Sequence, residues 1–174
     1  MLITKLDLNN KKVLVRVDFN VPMDKNLTVT DNTRIKSSIK TILYVLKKGG
    51  ACILISHMGR PDGYEKNLSL KNIVGELENL LNKKITFVND CIGTKVKKAC
   101  QESKKGDIIL LENLRFYAEE ESGEISFAKS LSTLADIYIN DAFGTAHRNH
   151  ASTGILPSFF KGKKAMGFLL SREV

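Results

Sequence analysis

Short, uninterrupted apolar runs alternate along this chain with segments whose apolar residues recur at a helical spacing, and this alternation constrains the fold most. Continuous apolar character over four to six residues is typical of strands that are buried on both faces. Five runs of this kind occupy residues 12–17, 51–55, 84–88, 107–111 and 135–139. A sixth strand is expected within residues 164–169.

Helices are predicted between these strands. Residues 31–48 place Ile35, Ile39, Ile42 and Leu46 on one helical face, and Gly49 provides a stop. The other predicted helices span residues 70–81, 93–101 and 124–134. Strands that alternate with helices favour a parallel sheet whose right-handed crossovers cover both faces. We therefore expect a Rossmann-like, three-layer α/β/α domain with a parallel sheet of about six strands.

The composition indicates a single soluble domain. The 174 residues are 43% hydrophobic and 26% charged, which is ordinary for a globular protein. No apolar run approaches the length of a membrane span, and the N-terminus lacks the order of a signal peptide. A cytoplasmic protein without a membrane partner is expected. The three cysteines have no CxxC spacing, so reduced thiols are expected, although Cys91 lies near a predicted helix start, where a thiol pKa can fall.

Arginine and lysine are distributed differently in this chain of net charge +8. Lysines occur largely in pairs at the boundaries of predicted elements, as solvated surface residues do. Five of the six arginines instead lie near strand or helix ends, beside glycine, asparagine or histidine; these are Arg16, Arg34, Arg60, Arg115 and Arg148. This placement indicates a function for the arginines.

Polar and cationic side chains follow four of the predicted strands. In an open parallel sheet, ligands bind beyond the carboxyl ends of the strands. Guanidinium forks and imidazoles at such ends suit an anionic ligand. Arg34 adds to this pattern, because a cation in the first turn of a helix opposes the helix dipole and so suggests another use. The four segments are residues 16–20, 56–61, 112–116 and 140–150.

Other chemistries fit the sequence less well. It has no GxxxxGK[ST] or GxSxG motif, and no GxGxxG follows the first strand. His57, His147 and His150 imitate a three-histidine zinc site, but neighbouring arginines would repel a divalent cation, so no metal is expected. The charge permits nucleic-acid binding, yet aromatic content is only 7% and no reader motif occurs, so no nucleic-acid partner is expected. Taken singly, Asp18 and Asn20 fit a turn before Pro22 equally well.

Six motifs carry a resemblance to a known family. They are VRVDFNVP, DNTRI, SHMGRP, FVNDCIG, LLENLRF and NDAFGTAHRNHAST, in this order along the chain. Together with the closing GFLLSREV they resemble phosphoglycerate kinase over nearly the whole chain. The resemblance implies that residues 1–174 form the N-terminal, phosphoglycerate-binding domain. It also implies that the family's C-terminal nucleotide-binding domain is absent from this chain.

The resemblance implies the glycolytic reaction ATP + 3-phosphoglycerate ⇌ ADP + 1,3-bisphosphoglycerate. Mg-ATP or Mg-ADP would be bound by the C-terminal domain, with no cofactor in this chain. The expected partners are therefore 3-phosphoglycerate or 1,3-bisphosphoglycerate and that domain, in a monomeric protein. The isolated chain is expected to bind phosphoglycerate without kinase activity. A freestanding module that binds or senses a phosphorylated acid remains the alternative.

Individual roles follow from motif position. Arg34 resembles the family's catalytic arginine, and Arg16 and His150 lie near the substrate cluster by motif position, without an assigned role. The cluster that resembles the family's phosphate site contains His57, Arg60, Arg115 and Arg148, while Asp18 and Asn20 resemble the pair that orients the hydroxyl and carboxylate end of the substrate. The full set of implied substrate-binding residues is Asp18, Asn20, Arg34, His57, Arg60, Arg115 and Arg148.

Overall fold

The computed structural model describes residues 1–142 and 149–172, and it confirms a six-stranded parallel sheet. The strands stand in the order β3-β4-β2-β1-β5-β6, and every neighbouring pair is parallel. The carboxyl ends of all six strands therefore lie along one edge of the sheet. The strands are β1 (Lys12–Arg16), β2 (Ala51–Ile55), β3 (Thr86–Val88), β4 (Ile108–Leu111), β5 (Ile137–Asn140) and β6 (Lys164–Met166).

Helices and short helical turns connect the strands. The α-helices are α1 (Thr33–Lys47), α2 (Val74–Leu81), α3 (Thr94–Glu102), α4 (Ala118–Ser122), α5 (Ile125–Ser132) and α6 (Phe168–Arg172). Turns of 3-10 helix occur at Ile3–Lys5, Lys66–Leu68, Leu70–Ile73, Leu114–Phe116 and Leu156–Phe159, and Ala151–Ile155 forms a short π-helix. Within the described ranges, no helix is long and apolar enough to cross a membrane.

Two hydrophobic clusters lie on opposite faces of the sheet. Alternate residues of β1 belong to different clusters, because successive side chains of a strand point to opposite faces. Val13 and Val15 pack in the cluster that contains residues of α1 and α2, whereas Leu14 packs in the cluster that contains residues of α3 and α5. This arrangement confirms the predicted three-layer α/β/α architecture.

The end of the chain differs from the sequence prediction. The strand predicted within residues 164–169 ends at Met166, and Phe168 begins α6. The backbone N–H of Phe168 donates to Thr41 Oγ1 (3.0 Å), and its ring packs edge-on against Tyr44 with centroids 5.2 Å apart. These contacts with α1 turn the chain away from the sheet. An apolar run alone does not reveal them.

The acidic segment before α5 also differs from the prediction. Residues 118–122 form α4, where no helix was predicted, and Gly123 ends it with a left-handed φ of 68°. Acidic side chains in a first turn favour a helix, because they face the positive end of its dipole. The predicted helix at 124–134 is accordingly the shorter α5, Ile125–Ser132.

Candidate functional site

The segments that follow β1 and β2 are joined by hydrogen bonds at the carboxyl edge of the sheet. Asp18 Oδ1 accepts from the backbone N–H of Asn20 (3.0 Å), which forms a tight turn after β1. Asn20 Oδ1 in turn accepts from the N–H of Gly59 (3.0 Å), beyond the end of β2. Ser56 Oγ adds a second link by accepting from the N–H of Phe19 (2.9 Å). These hydrogen bonds join the loops that follow the neighbouring strands β1 and β2 into one loop pair.

Arg34 reaches this loop pair from the first turn of α1. Its Nη1 donates to the carbonyl oxygen of Asn20 (2.9 Å) and lies 3.6 Å from Asp18 Oδ2. The side chain of Arg34 is 55% exposed, whereas that of Asp18 is 14% exposed. Within the described ranges, the Nη2 and Nε groups of Arg34 have no hydrogen-bond acceptor. One edge of the guanidinium is thus anchored to the protein while the other faces solvent.

His57 is a buried, neutral hydrogen-bond donor. Arg16 Nη2 lies 3.0 Å from His57 Nδ1. Since a guanidinium can only donate, Nδ1 must be the acceptor, and the ring proton resides on Nε2. Burial, together with the positive charges of Arg16 and Arg115, lowers the pKa of His57 to about 2. His57 therefore stays uncharged at neutral pH.

The lowered pKa of His57 predicts a pH dependence of stability. Below pH 6.5 the unfolded chain binds a proton at His57 that the folded chain does not, so the free energy of unfolding falls as pH decreases. The loss should reach about 2 kcal/mol between pH 7 and pH 5. Urea unfolding at several pH values measures this loss. The His57→Asn variant keeps an acceptor for Arg16, and its free energy of unfolding should not show this loss of about 2 kcal/mol between pH 7 and pH 5. The same pH dependence in the variant as in the unaltered chain would contradict a neutral His57.

Asn113 positions Arg115 and the segment that follows β2. Its Oδ1 accepts from the backbone N–H groups of Met58 (3.1 Å) and Arg115 (3.0 Å). Its Nδ2 donates to the carbonyl oxygens of Met58 (2.8 Å) and Leu68 (2.9 Å). Arg115, itself buried, donates from Nη1 to the carbonyl oxygen of Gly59 (3.0 Å). A single buried amide thus connects the carboxyl ends of β2 and β4.

The remaining predicted residues are placed differently. Arg60 is exposed and follows Gly59, whose left-handed φ of 64° gives this turn its shape. His150 is buried, and it is among the groups that lower the pKa of His57, so it lies near the cluster. Arg148 lies outside the described residues. Apart from Arg148, the predicted site residues are found at the carboxyl edge of the sheet or close to it.

Two further residues at this edge were not predicted from the sequence. Arg16 Nε donates to Ser152 Oγ (2.9 Å), and Ser152 donates from its N–H to Glu120 Oε1 (2.8 Å) and from its hydroxyl to Glu120 Oε2. Arg16, Ser152 and Glu120 are all fully buried. Burial lowers the pKa of Arg16, and the carboxylate of Glu120 is the largest opposing influence. Glu120 stands within a run of glutamates, so the sequence gives no sign that it is buried.

Two alternatives for reactive chemistry can be compared with this geometry. The hypothesis of a lowered pKa for Cys91 is wrong, because burial and the neighbouring Asp90 raise the pKa of this thiol. Its Sγ donates to the carbonyl oxygen of Glu112 (2.9 Å). Within the described ranges, no three histidine, cysteine or carboxylate side chains are grouped to hold a metal ion, while His147 of the three-histidine alternative lies outside those ranges.

A cleft at this edge is lined, among the described residues, by one cationic side chain, Arg34, and by one carboxylate, Asp31. The cleft beside Arg34 has a volume of about 530 Å³, and its wall includes Asn20, Asp31 and Thr33. Pockets of several hundred Å³ are typical of small-ligand sites. Buried arginines and a neutral imidazole donor can together bind a compact anion, and the anchored but exposed Arg34 can contact a second anionic group.

A family model described as phosphoglycerate kinase matches residues 3–174. The chain is 49% identical over 168 residues to the phosphoglycerate kinase of Dictyoglomus turgidum, and 51% identical over 170 residues to that of Moorella thermoacetica. In both cases the match covers 97% of this chain and 42% of the relative. A cytosolic phosphoglycerate kinase of Nicotiana tabacum is 49% identical over 168 residues, which cover 97% of this chain and 42% of the relative.

The fold has relatives among solved structures. The phosphoglycerate kinase structure from Coxiella burnetii superposes with a TM-score of 0.88 at 34% sequence identity. That superposition covers 99% of this chain and 43% of the other. The chain therefore spans about two fifths of the length of the proteins that it matches.

Proposed function

The chain belongs to the phosphoglycerate kinase family, and on that premise we propose that residues 1–174 form the phosphoglycerate-binding domain of such an enzyme. The whole enzyme would transfer a phosphoryl group between ATP and 3-phosphoglycerate in glycolysis. It would work as a monomer and, like the tobacco relative that is named cytosolic, in the cytoplasm.

The observation that carries this proposal is the pairing of buried cationic groups with a neutral imidazole donor at one strand edge. Arg16 Nη2 lies 3.0 Å from His57 Nδ1, and the positive charges of Arg16 and Arg115 both lower the pKa of His57, so both arginines contribute positive potential at this imidazole. His57 retains an Nε2–H to donate, because Arg16 occupies Nδ1. A phosphate group suits this set, since it accepts several charge-assisted hydrogen bonds at once.

Each predicted substrate-binding residue has a proposed role. His57, Arg60, Arg115 and Arg148 would hold the phosphate that does not react. The carboxylate of Asp18 would accept from the substrate hydroxyl, and the Nδ2 of Asn20 would donate to the carboxylate end. This amide nitrogen is suitable because the Oδ1 of Asn20 is already occupied by Gly59. Arg34 would lie between the substrate carboxylate and the transferring phosphoryl group.

The nucleotide would be bound by a second domain, outside residues 1–174. Neither of the two common glycine-rich nucleotide loops is present in the sequence. Mg-ATP or Mg-ADP is therefore assigned to the second domain, and transfer would require both domains to enclose the two substrates.

Calorimetric titration of the 174-residue chain tests this proposal. We expect 3-phosphoglycerate to bind and Mg-ATP not to bind. Affinity for 3-phosphoglycerate should weaken as salt is added, because the ligand is held mainly by opposite charge. Tight binding of Mg-ATP, or ATP-dependent turnover by the purified chain, would contradict the proposal that this domain binds phosphoglycerate and a second domain binds the nucleotide.

Single arginine variants locate the phosphate position. Arg115→Ala and Arg60→Ala should each weaken 3-phosphoglycerate binding by about 1.5–3 kcal/mol, because each removes a charge-assisted contact. Lys105→Ala is the matched control, since this exposed lysine lies in the turn before β4, at the opposite edge of the sheet. Unchanged affinity in both arginine variants, with intact circular dichroism, would place the phosphate elsewhere.

A further inference from the structure

A chain of buried hydrogen bonds connects His57 to helix α4 across the interior. We call it the Glu120 relay, and it consists of His57, Arg16, Ser152 and Glu120. Arg16 donates from Nη2 to His57 Nδ1 (3.0 Å) and from Nε to Ser152 Oγ (2.9 Å). The hydroxyl of Ser152 donates to Glu120 Oε2, and its backbone N–H donates to Oε1 (2.8 Å). Both oxygens of a fully buried carboxylate are thus committed to one serine.

The donor and the acceptor of each hydrogen bond in the relay are fixed by the chemistry of the four side chains. A guanidinium has donors and no acceptor, and an ionised carboxylate has acceptors and no donor. The single hydroxyl proton of Ser152 must therefore go to Glu120, which leaves its lone pairs for Arg16 Nε. Tyr138 fixes the serine from the other side, since its hydroxyl donates to the carbonyl oxygen of Ser152 (2.7 Å). The position of Arg16 is consequently set from two elements distant in sequence, α4 and the Ala151–Ile155 π-helix.

We infer that Glu120 and Ser152 are positioning residues, which hold Arg16 against Nδ1 of His57 and thereby keep His57 as an Nε2–H donor. This role rests on the proposed function, in which His57 contacts the substrate phosphate. Without the relay, Arg16 would lose both an acceptor and its largest compensating charge. Its Nη2 would no longer be directed at the imidazole, and His57 would be free to carry its proton on either nitrogen.

The direction in which removal of Glu120 changes the affinity for an anion distinguishes a positioning role from a purely electrostatic effect. Glu120 is a negative charge near a cationic cluster, so by Coulomb's law its removal should strengthen the binding of an anion. If Glu120 instead positions Arg16 and His57, its removal should weaken binding, because a directed donor is lost. The two explanations predict opposite changes for the same substitution.

Nitrogen-15 NMR of the histidine side chains tests the inference directly in the 174-residue chain. The unaltered protein should show His57 with Nδ1 unprotonated and Nε2 protonated, from pH 7 down to pH 5. His57→Asn assigns the signal among the three histidines. Glu120→Gln and Ser152→Ala should each give a mixture of the two tautomers, and calorimetry should show affinity for 3-phosphoglycerate reduced on the order of tenfold. Glu121→Gln, on the same helix but exposed, is the matched control and should change neither measurement.

Several outcomes would overturn the inference. A proton on Nδ1 of His57 in the unaltered protein would do so, and this measurement needs no variant. Unchanged tautomers, or tighter binding, in Glu120→Gln would also do so, and Ser152→Ala decides the question if Glu120→Gln does not fold. The tautomer is measured without ligand. Failure of the unaltered chain to bind 3-phosphoglycerate would therefore refute the proposed function, while the tautomer change in the variants would still support the positioning role.

Discussion

Replacing Asn113 by alanine should lower the free energy of unfolding by about 3 kcal/mol, a large loss for one uncharged side chain. Asn113 is fully buried, and its amide makes four hydrogen bonds to the backbone of Met58, Leu68 and Arg115. Alanine leaves these backbone groups without their partner, and a buried group that loses its partner costs about 1–3 kcal/mol. Urea unfolding at pH 7 measures the change.

Asn26→Ala is the control for this substitution. Asn26 is exposed in the turn between Asp24 and Thr28, and its removal should change stability by less than about 0.5 kcal/mol. We also expect Asn113→Ala to weaken 3-phosphoglycerate binding, because the amide holds Arg115, a proposed phosphate contact, and Met58, which follows the proposed contact His57. A variant as stable as the unaltered chain would show that water or a shifted backbone replaces the amide.

Most of the sheet could be predicted because a doubly buried parallel strand leaves a distinct sequence pattern. β2 illustrates this, since the run Ala51–Ile55 is apolar throughout and every residue in it is buried. The α1 prediction succeeded for a related reason, because Ile35 and Ile42 recur at a helical spacing and both are buried. Local pattern and tertiary packing agree in these elements.

The errors occur where tertiary contacts decide between local alternatives. Phe168 continues an apolar run and so looks like part of a strand, yet its contacts with Thr41 and Tyr44 of α1 place it in a helix. The acidic run of α4 has little apolar periodicity, because its one buried glutamate, Glu120, is held by Ser152 and not by a hydrophobic face. Such partners are distant in sequence, and the pattern of a single segment cannot show them.

The residues of the candidate site could be predicted from the sequence, whereas the buried residues that hold them in place could not. Arg34, His57 and Arg115 stand near strand or helix ends, and the parallel topology brings those ends to one edge. The residues that hold them could not be inferred in the same way. Ser152 and Glu120 lie 32 positions apart, and only the folded chain shows that the serine connects the glutamate to Arg16. The predicted role of Arg148 stays a prediction, because this residue lies outside the described ranges.

Arg34 differs from the other arginines of the site in a way that suggests a different task. Arg16 and Arg115 are buried and hydrogen-bonded to the protein, whereas the Arg34 side chain is 55% exposed and, among the described residues, anchored through Nη1 alone. In the proposed reaction the nucleophile is a carboxylate, which is already ionised at pH 7 and needs no general base. Catalysis then depends on alignment and on neutralising the charge of the transferring group. An anchored guanidinium with an exposed edge suits that requirement.

Arg34→Ala in the two-domain enzyme should therefore lower kcat by about 10²–10³-fold, as expected when a preorganised donor to the transition state is removed. The KM for 3-phosphoglycerate should change much less, because the proposed phosphate contacts remain. Steady-state kinetics with both substrates varied measure the two parameters. Circular dichroism should show an unchanged fold, since the side chain of Arg34 is largely exposed and contributes one hydrogen bond to the carbonyl of Asn20.

Two comparison variants make this assignment refutable. Arg34→Lys should recover only part of the lost rate, because an ammonium cannot donate to the Asn20 carbonyl and span two anionic groups as a planar fork can. Arg115→Ala should instead raise the KM for 3-phosphoglycerate more than it lowers kcat, because its partner phosphate is the same in the ground state and the transition state. If Arg34→Ala kept a near-normal kcat while Arg115→Ala abolished it, the two roles would be reversed. The buried arginine would then act on the reacting group, and the exposed one would only bind substrate.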